Sequence, residues 1–455
     1  MNTTGNIMHR LTSYMDRARS AELPAPVARK AGHHILDTLA AMVSGSQLKP
    51  GSLARAFAEA QGGPPEAHVV TTGLHVAAVN AALANGMLAH SDETDDSNTL
   101  AGIHPGCAVV PAALAMAERQ DASGADFLRA VVLGYDVGCR TIKALGGRLA
   151  VRARNHLPFS IGGTMGATAA AGCLAGLGPE QLAHLFSYGA QQASGVMTYP
   201  RDTEHIEKAF IFGGMPARNG VTAAVMVQFG FTGVDDVFGG DGNFLSAYAE
   251  NPKPEELVAE LGSRYEVMLT NIKKYCVGFP IQTPLDGFLL LVKEHGLGVD
   301  DVARVEVRIE EGGAHTVNDR EMPDINLQHL FAVALLDGGL GFAAAHSFER
   351  MNDPRVQAVK SRVTLVGDPE LSRRLPERHA IVRITTGDGR NLEKRLASFR
   401  GNFDNPLSTE EVEEKAMDLL APVLGIQRSR QLIATIGKLE SLPRVRDLLP
   451  LLRAK

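Results

Sequence analysis

The amino-acid sequence predicts a mainly α-helical protein with a large all-helical domain and a smaller α+β domain. Three observations predict this fold class. Apolar residues recur at helical spacing from about residue 20 to 265, strand-like alternation begins only after that point, and the pattern is purely helical again beyond residue 400. We therefore expect an all-helical domain over 1–265 that is completed by 401–455, and an α+β domain over 266–400.

The helical region contains the residues that begin and end helices. The segments PVARKAGHHILDTLAAMVSGS and AAVNAALANGMLAH carry apolar residues at helical spacing. In GATAAAGCLAGLGPEQLAHLF, one helix is expected to end at Gly176 and the next to begin at Pro179, because glycine favours the position after a helix and proline favours its first turn.

The α+β domain is predicted from alternation of apolar and polar residues. DDVARVEVRIEEG alternates valine and isoleucine with charged residues, as a half-buried strand does. SRVTLV at 361–366 predicts another strand, and HAIVRITTGDGRNLEKRLASF predicts a hairpin that turns at 387–389. LQHLFAVALLDGG predicts a helix over 327–339.

Composition excludes several functional classes. The net charge of −6 and the pI of about 6.2 give no basic surface for nucleic acid. The four cysteines are far apart and form no CxxC pair, so neither a zinc site nor a disulfide framework is expected. The first residues lack a signal-peptide core, and no apolar run reaches the length of about 18 residues that a membrane span needs. We therefore expect a cytoplasmic protein.

The segment AHSDETDDSNTLAGIHPG, residues 89–106, has the most unusual chemistry and is called the acidic segment below. It carries four carboxylates in five positions, Asp92, Glu93, Asp95 and Asp96, with a histidine near each end, His90 and His104. Like charges this close repel one another. The segment therefore needs a metal, cationic side chains or water to compensate the charge.

Two interpretations of the acidic segment compete. Its D-E-x-x-D pattern would suit magnesium and a diphosphate, as in prenyl-diphosphate enzymes, but those need an aromatic-lined pocket and only 5% of this chain is aromatic. The alternative is a solvated acidic loop. Because an apolar helix precedes the segment and the apolar CAVVPAALAMAE follows it, a buried position is favoured, with cations or backbone N–H groups holding the carboxylates.

The H-S-x-x-x-D-D-[ST] pattern at His90–Ser97, followed by H-P-G, resembles the MmgE/PrpD family. Further segments resemble that family in the same order over nearly the whole chain: ILDTLAAMVSGS, NHLPFSIGGTMGATAAAG, GGMPARNGVTAAVMVQFGFTG, IKKYCVGFPIQTPLDGFLLL, LQHLFAVALLDG and GNFDNPLSTEEVEEK. The family includes 2-methylcitrate dehydratase, cis-aconitate decarboxylase and iminodisuccinate epimerase. The resemblance implies a helical domain with an α+β lid, a homodimer, a small polycarboxylate substrate, and no metal or organic cofactor.

Dehydration, decarboxylation and epimerisation of such acids share one requirement. Each develops negative charge on a carbon next to a carboxylate, so a base, an acid and cations must be supplied. The resemblance implies that His104 and His156 act as base and acid. It also implies a catalytic role for Lys208, which lies one position away from the family's usual spacing.

Five further residues are predicted to bind substrate by the same resemblance: Glu93, Ser97, Lys273, Lys274 and His329. Glu93 and Ser97 could instead orient His104. Two departures from the family pattern bear on the reaction. The crossover segment VGFPIQTPLD has no histidine where dehydratases and decarboxylases tend to carry one, and His329 stands where many members have tyrosine.

The resemblance predicts a cofactor-independent lyase, a hydro-lyase resembling 2-methylcitrate dehydratase, that acts on a small di- or tricarboxylate. Decarboxylation or epimerisation of a related acid stays open, because the same histidine pair could serve each reaction. The missing crossover histidine also leaves open a family member that binds a carboxylate without catalysis.

Overall fold

The computed structural model describes residues 5–454, with side chains from residue 7 onward, and these form two compact units. The helical unit comprises residues 5–91, 95–270 and 409–454, and the mixed unit comprises 92–94 and 271–408. The sequence predicted the divisions after residues 265 and 400, whereas the structure places them after 270 and 408. The prediction did not anticipate that three residues of the acidic segment belong to the second unit.

The helical unit contains fourteen α-helices and two two-residue strands among the described residues, together with short 3₁₀ and π-helical turns. The helices are α1 Gly5–Ala18, α2 Ala25–Gly45, α3 Lys49–Gln61, α4 Ala78–Ala89, α5 Gly106–Arg119, α6 Gly124–Ala144, α7 Arg148–Ala153, α8 Pro158–Leu174, α9 Pro179–Gln192, α10 Ile206–Ala209, α11 Met215–Gln228, α12 Phe244–Tyr248, α20 Thr409–Leu424 and α21 Ile426–Ile436. The short strands β1 Ala67–His68 and β2 His75–Val76 pair antiparallel. The predicted helix break is confirmed, since α8 ends just before Gly176, whose φ is +68°, and α9 begins at Pro179.

Small residues let helices α6 and α8 approach closely in the core of this unit. A Cβ atom at Gly138 of α6 would lie 2.7 Å from the carbonyl oxygen of Gly162 in α8, a distance that no real side chain tolerates. Glycine at this position therefore sets the spacing of the two helices. Helix α6 supplies partners to the acidic segment described below, so its position matters for the site.

A buried ion pair joins α20 to α2. Lys415 Nζ lies 2.6 Å from Asp37 Oδ1, and the two side chains are 5% and 1% exposed. Burial raises the pKa of Asp37 to about 6, although the neighbouring Lys415 acts in the opposite direction. This ion pair connects the C-terminal helix α20 to the buried helix α2.

The mixed unit contains a four-stranded sheet and seven helices among the described residues. The strands are β3 Val302–Ile309, β4 Val363–Gly367, β5 Ala380–Thr386 and β6 Asn391–Leu396, and the helices are α13 Gln282–His295, α14 Glu311–Val317, α15 Leu327–Asp337, α16 Phe342–Ala345, α17 Phe348–Met351, α18 Pro354–Lys360 and α19 Pro369–Ser372. The sheet order is β4-β3-β5-β6, with β3 and β4 parallel and the other pairs antiparallel.

The predicted fold class is confirmed: the chain is mostly helical, with a smaller α+β part. The alternation in β3 buries Val305, Val307 and Ile309 in a core cluster that also contains apolar residues of α13 and α15. The hairpin predicted around 387–389 is the β5–β6 pair. Among residues 5–454, no helix combines the length and apolarity that crossing a bilayer requires.

The Lys415–Asp37 pair gives a stability prediction. We expect Lys415→Met to lower the free energy of unfolding by about 3 kcal/mol at pH 8, because removing one partner leaves a buried charge uncompensated. The loss should shrink by pH 5, since Asp37, with its pKa raised to about 6, is then mostly protonated and neutral. Urea unfolding followed by circular dichroism at both pH values measures the difference.

The matched control is Lys49→Met. Lys49 pairs with Glu204 at the surface, where the two side chains are 60% and 54% exposed, so the loss should stay below about 1 kcal/mol at either pH. Equal losses for Lys49→Met and Lys415→Met would contradict the role given to the buried pair.

Candidate active site

The acidic segment is buried. Asp92, Glu93, Asp95 and Asp96 are at most 6% exposed, so the interpretation of a solvated loop is wrong. Asp95 and Asp96 belong to the helical unit, whereas Asp92 and Glu93 belong to the mixed unit. Each carboxylate contacts histidine, lysine, tyrosine or backbone N–H groups, which are described in turn.

Asp95 lies between two imidazoles in the helical unit. His90 Nδ1 donates to Asp95 Oδ2 at 2.9 Å, and His104 Nδ1 lies 3.3 Å from the other carboxylate oxygen. The ring centroids of His90 and His104 are 5.3 Å apart, at an interplanar angle of 67°. One buried carboxylate therefore orients both histidines of the acidic segment.

Helix ends place these two histidines. His90 follows directly after α4, and His104 lies two residues before α5. The side chain of His90 is fully buried, while that of His104 is 11% exposed. Burial lowers the pKa of His90, although Asp95 acts in the opposite direction, so this imidazole stays neutral near pH 7. Of the two rings, only that of His104 retains exposed surface.

Aromatic side chains and Lys208 surround the histidine pair. The ring of Phe212 stacks on His90 with centroids 4.6 Å apart and on Phe159 with centroids 4.4 Å apart. Phe159 also contacts His104, at 5.4 Å between centroids. Lys208 Nζ lies 5.3 Å from the centroid of Phe212, so the predicted lysine comes into the same cluster as His104.

An unusual backbone segment carries Phe212. Residues Phe210–Gly214 form a π-helical turn between α10 and α11, and such turns are frequent at functional sites. Just before α10, His205 is buried with a left-handed φ of +60°, and its ring centroid lies 5.3 Å from that of His90. The sequence analysis missed His205 and Phe212. A strained non-glycine backbone leaves no clear trace in one sequence.

The structure places the other two predicted residues of the helical unit differently. Ser97 is buried, and its hydroxyl has no hydrogen-bond partner among residues 5–454, so it is available to a ligand. His156 packs its ring against Tyr248, with centroids 4.9 Å apart, and pairs through its backbone with Val196. Among the described residues, no ring contact joins His156 to His104.

In the mixed unit, Lys273 and Lys274 have different surroundings. Lys273 is fully buried, donates from Nζ to the carbonyl oxygen of Glu93 at 2.7 Å, and lies 3.5 Å from Glu93 Oε2. Lys274 is 37% exposed and lies 3.5 Å from Asp286. The two predicted binding residues Glu93 and Lys273 therefore lie together, and Lys274 lies apart from them.

His346 holds the remaining carboxylate and was also missed by the sequence analysis. His346 Nε2 lies 2.8 Å from Asp92 Oδ2, and Thr94 donates to the same carboxylate from its hydroxyl at 2.6 Å. Burial lowers the pKa of His346, but the hydrogen bond and charge of Asp92 outweigh it and raise the pKa to about 9. His346 is therefore cationic at neutral pH.

His329 lies in α15 and is fully buried. Neither of its ring nitrogens has a hydrogen-bond partner in the described part of the chain. Burial lowers the pKa of His329 to about 4, and the positive charges of Lys360 and Arg350 lower it further. The ring is therefore neutral at pH 7 and retains one donor and one acceptor for a ligand or water.

The chain is therefore a mainly α-helical protein with a smaller α+β unit, and its helical unit holds a buried cluster of histidines and carboxylates. The family model described as the MmgE/PrpD N-terminal domain matches residues 9–257, and that of the MmgE/PrpD C-terminal domain matches 275–441. The chain belongs to the MmgE/PrpD family.

Similar proteins are named as decarboxylases. A cis-aconitate decarboxylase-like protein of Aspergillus oryzae is 26% identical over 98% of this chain and 97% of its own length. The cis-aconitate decarboxylase of Homo sapiens is 27% identical over 80% of this chain and 76% of its own. That of Aspergillus terreus is 24% identical over 99% and 96%.

The His346–Asp92 pair gives a pH-dependent prediction. Because the folded-state pKa of His346 is raised to about 9, its stabilising contribution is fully present below about pH 6.5 and is lost as the pH rises through 9. We expect His346→Gln to lower the free energy of unfolding by roughly 3 kcal/mol at pH 6.5 and by much less at pH 10. Urea titrations followed by circular dichroism at both pH values test this.

His379→Gln is the control, because His379 pairs with Glu377, whose side chain is 67% exposed, in the same unit. A surface pair of this kind should contribute little at either pH. A loss for His346→Gln that does not change with pH would count against a charged His346.

Proposed function

We propose that the protein is a lyase that acts on a small di- or tricarboxylate, with proton transfer at a carbon next to a carboxylate. The observation that carries the proposal is the buried Asp95 carboxylate, which contacts Nδ1 of both His90 and His104. The hydrogen bond from His90 favours the tautomer of that ring with a proton on Nδ1, and the contacts through Nδ1 direct Nε2 of both rings away from Asp95. His104, the more exposed ring, is assigned the proton transfer.

Asp95 supports this chemistry electrostatically. When His104 Nε2 takes a proton, the imidazolium that forms lies next to the Asp95 carboxylate and is stabilised by it. His90 is buried and neutral, so it places no second positive charge beside His104. The aromatic rings of Phe159 and Phe212 lie against His104 and exclude water from that side of the ring. The lower local dielectric strengthens the attraction between the Asp95 carboxylate and a protonated His104.

Decarboxylation of an unsaturated tricarboxylate such as cis-aconitate is the first candidate reaction. In it, the bond from carbon to a carboxyl group breaks, CO₂ leaves, and the electron pair stays on the carbon. The imidazolium of His104 then donates a proton to that carbon. The names of the similar proteins, each a cis-aconitate decarboxylase or a decarboxylase-like protein, support this choice.

Loss of water from a hydroxy acid such as 2-methylcitrate is the second candidate. This reaction needs a base that takes the proton from carbon and a separate acid that protonates the departing hydroxyl group. Lys208 supports it, because the ammonium group lies in the same aromatic cluster as His104 and could be the acid. The mixed-unit residues Lys273 and His329 are proposed to bind substrate carboxylates.

A substrate panel separates these reactions. Citrate, 2-methylcitrate, the aconitates and aspartate-derived diacids are each incubated in D₂O and followed by NMR. Release of CO₂ with one deuterium in the product indicates decarboxylation, and a new alkene signal without release of CO₂ indicates dehydration. Deuterium exchange without net product indicates epimerisation. Binding by calorimetry with no turnover of any acid would overturn the proposal and favour a carboxylate-binding protein.

With the best substrate, we expect His104→Gln to lower kcat by about 10²–10⁴, the usual contribution of a general acid or base. His379→Gln, on the surface of the mixed unit, should leave kcat within twofold. A His104→Gln variant that keeps its kcat within about threefold would refute the assignment. The same assay on His156→Gln decides its role: a loss below about tenfold would make it a structural residue that packs on Tyr248.

The two lysines give a further comparison. We expect Lys273→Met to raise KM at least tenfold, since it removes a fully buried ammonium group beside Glu93. Lys274→Met should change KM less than threefold, because that side chain is more exposed and pairs with Asp286. Steady-state kinetics on both variants measure this, and the reverse ranking would contradict the assignment of Lys273.

A further inference from the structure

Asp96 joins three elements of the helical unit at one carboxylate. Its Oδ2 accepts hydrogen bonds from the hydroxyl of Tyr135 at 2.5 Å and from His34 Nδ1 at 2.7 Å. Its Oδ1 accepts a hydrogen bond from the backbone N–H of Gly106 at 2.9 Å. Tyr135 lies in α6, His34 lies in α2, and Gly106 is the first residue of α5.

The two side-chain donors are fixed in position and protonation. Tyr135 and His34 are fully buried. Burial and the Asp96 carboxylate raise the pKa of Tyr135 well above its usual value, so the hydroxyl remains a donor. Burial lowers the pKa of His34, so its ring is neutral and donates from Nδ1. Asp96 therefore has donors that do not titrate near neutral pH.

The contact with Gly106 is unusually close. A Cβ atom at this position would lie 2.8 Å from Asp96 Oδ1 and 2.8 Å from the hydroxyl oxygen of Thr38. The absence of a side chain allows the carboxylate to reach the first N–H group of α5, where a negative charge is favourable. Gly106 comes two residues after His104, so the bond fixes the end of the segment that carries that imidazole.

We propose that Asp96 is a positioning residue for the histidine pair, which rests on the function proposed above. Asp96 is the chain neighbour of Asp95, and through Gly106 it also fixes the backbone next to His104. It thereby holds both sides of the Asp95–His104 contact against the rigid helices α2 and α6. Asp96 touches no reacting atom in this role and acts only through Asp95 and His104.

The test is Asp96→Asn, which keeps the size of the side chain but replaces one acceptor oxygen with an NH₂ donor. Whichever way the amide turns, either Tyr135 and His34 or the N–H of Gly106 lose their acceptor. We expect kcat to fall 10- to 100-fold with KM within threefold, and the pH profile of kcat/KM to shift. Selective ¹⁵N-histidine labelling gives a second readout. The tautomer signals of His90 and His104, assigned with His90→Gln and His104→Gln, should change in Asp96→Asn.

The matched control is Asp136→Asn. Asp136 lies in α6 and, like Asp96, has a buried side chain; it accepts a hydrogen bond from the N–H of Glu266 at 2.6 Å. Among the described residues, no hydrogen bond or ion pair joins it to His90 or His104. Asp136→Asn should leave the histidine signals and kcat unchanged. Unchanged signals and unchanged kcat in Asp96→Asn, or equal changes in both variants, would overturn the proposal.

Two further measurements test the role of Asp96 if Asp96→Asn does not fold or if no substrate is found. If Asp96→Asn does not fold, Tyr135→Phe removes a single donor to Asp96 and should shift the histidine signals in the same direction by a smaller amount. No shift in that variant would overturn the proposal. If the wild-type protein turns over none of the acids, the proposed function fails, while the labelled-histidine spectra still show whether Asp96 positions the pair.

Discussion

The burial of four carboxylates within five residues constrains the rest of the structure. An ionised carboxylate in an apolar interior costs several kcal/mol unless donors or cations surround it. Here every carboxylate has such a partner: Asp92 has His346, Glu93 has Lys273, Asp95 has His90 and His104, and Asp96 has His34, Tyr135 and Gly106. His90, His104 and Gly106 belong to the segment itself, whereas the other partners are distant in the chain; within the helical unit, Asp96 in this way joins α2 and α6 to the segment.

The partners differ in charge, and this divides the segment into two electrostatic environments. His346 in the mixed unit carries positive charge at neutral pH, because Asp92 raises its pKa to about 9, whereas burial keeps His90 and His34 in the helical unit neutral. Neutral imidazoles beside a carboxylate suit proton transfer, since they can gain a proton and be stabilised by the charge next to them. Cationic groups suit the binding of an anionic substrate.

The sequence predicted the fold class because periodicity is a local property: the alternation in β3 and the break at Gly176 need no tertiary information. It also selected residues of the acidic segment, since their density of charge is visible without a structure. It did not identify His205, His346 or Tyr135, whose roles depend on contacts more than 35 residues away in the chain. His205 and His346 lie just outside short helices, and their neighbours in the chain give no sign of what their rings contact.

The division of the chain into two units restricts which fragments of the protein can be produced or exchanged. Residues 92–94 belong to the mixed unit although Ser91 and Asp95 on either side belong to the helical unit. A fragment cut at 271–408 would therefore lack Asp92, the carboxylate that raises the pKa of His346, and would lose the ion pair between them. Neither unit is a contiguous stretch of chain, so gene truncation cannot separate them, and exchange of parts between relatives must move residues 92–94 together with the α+β region.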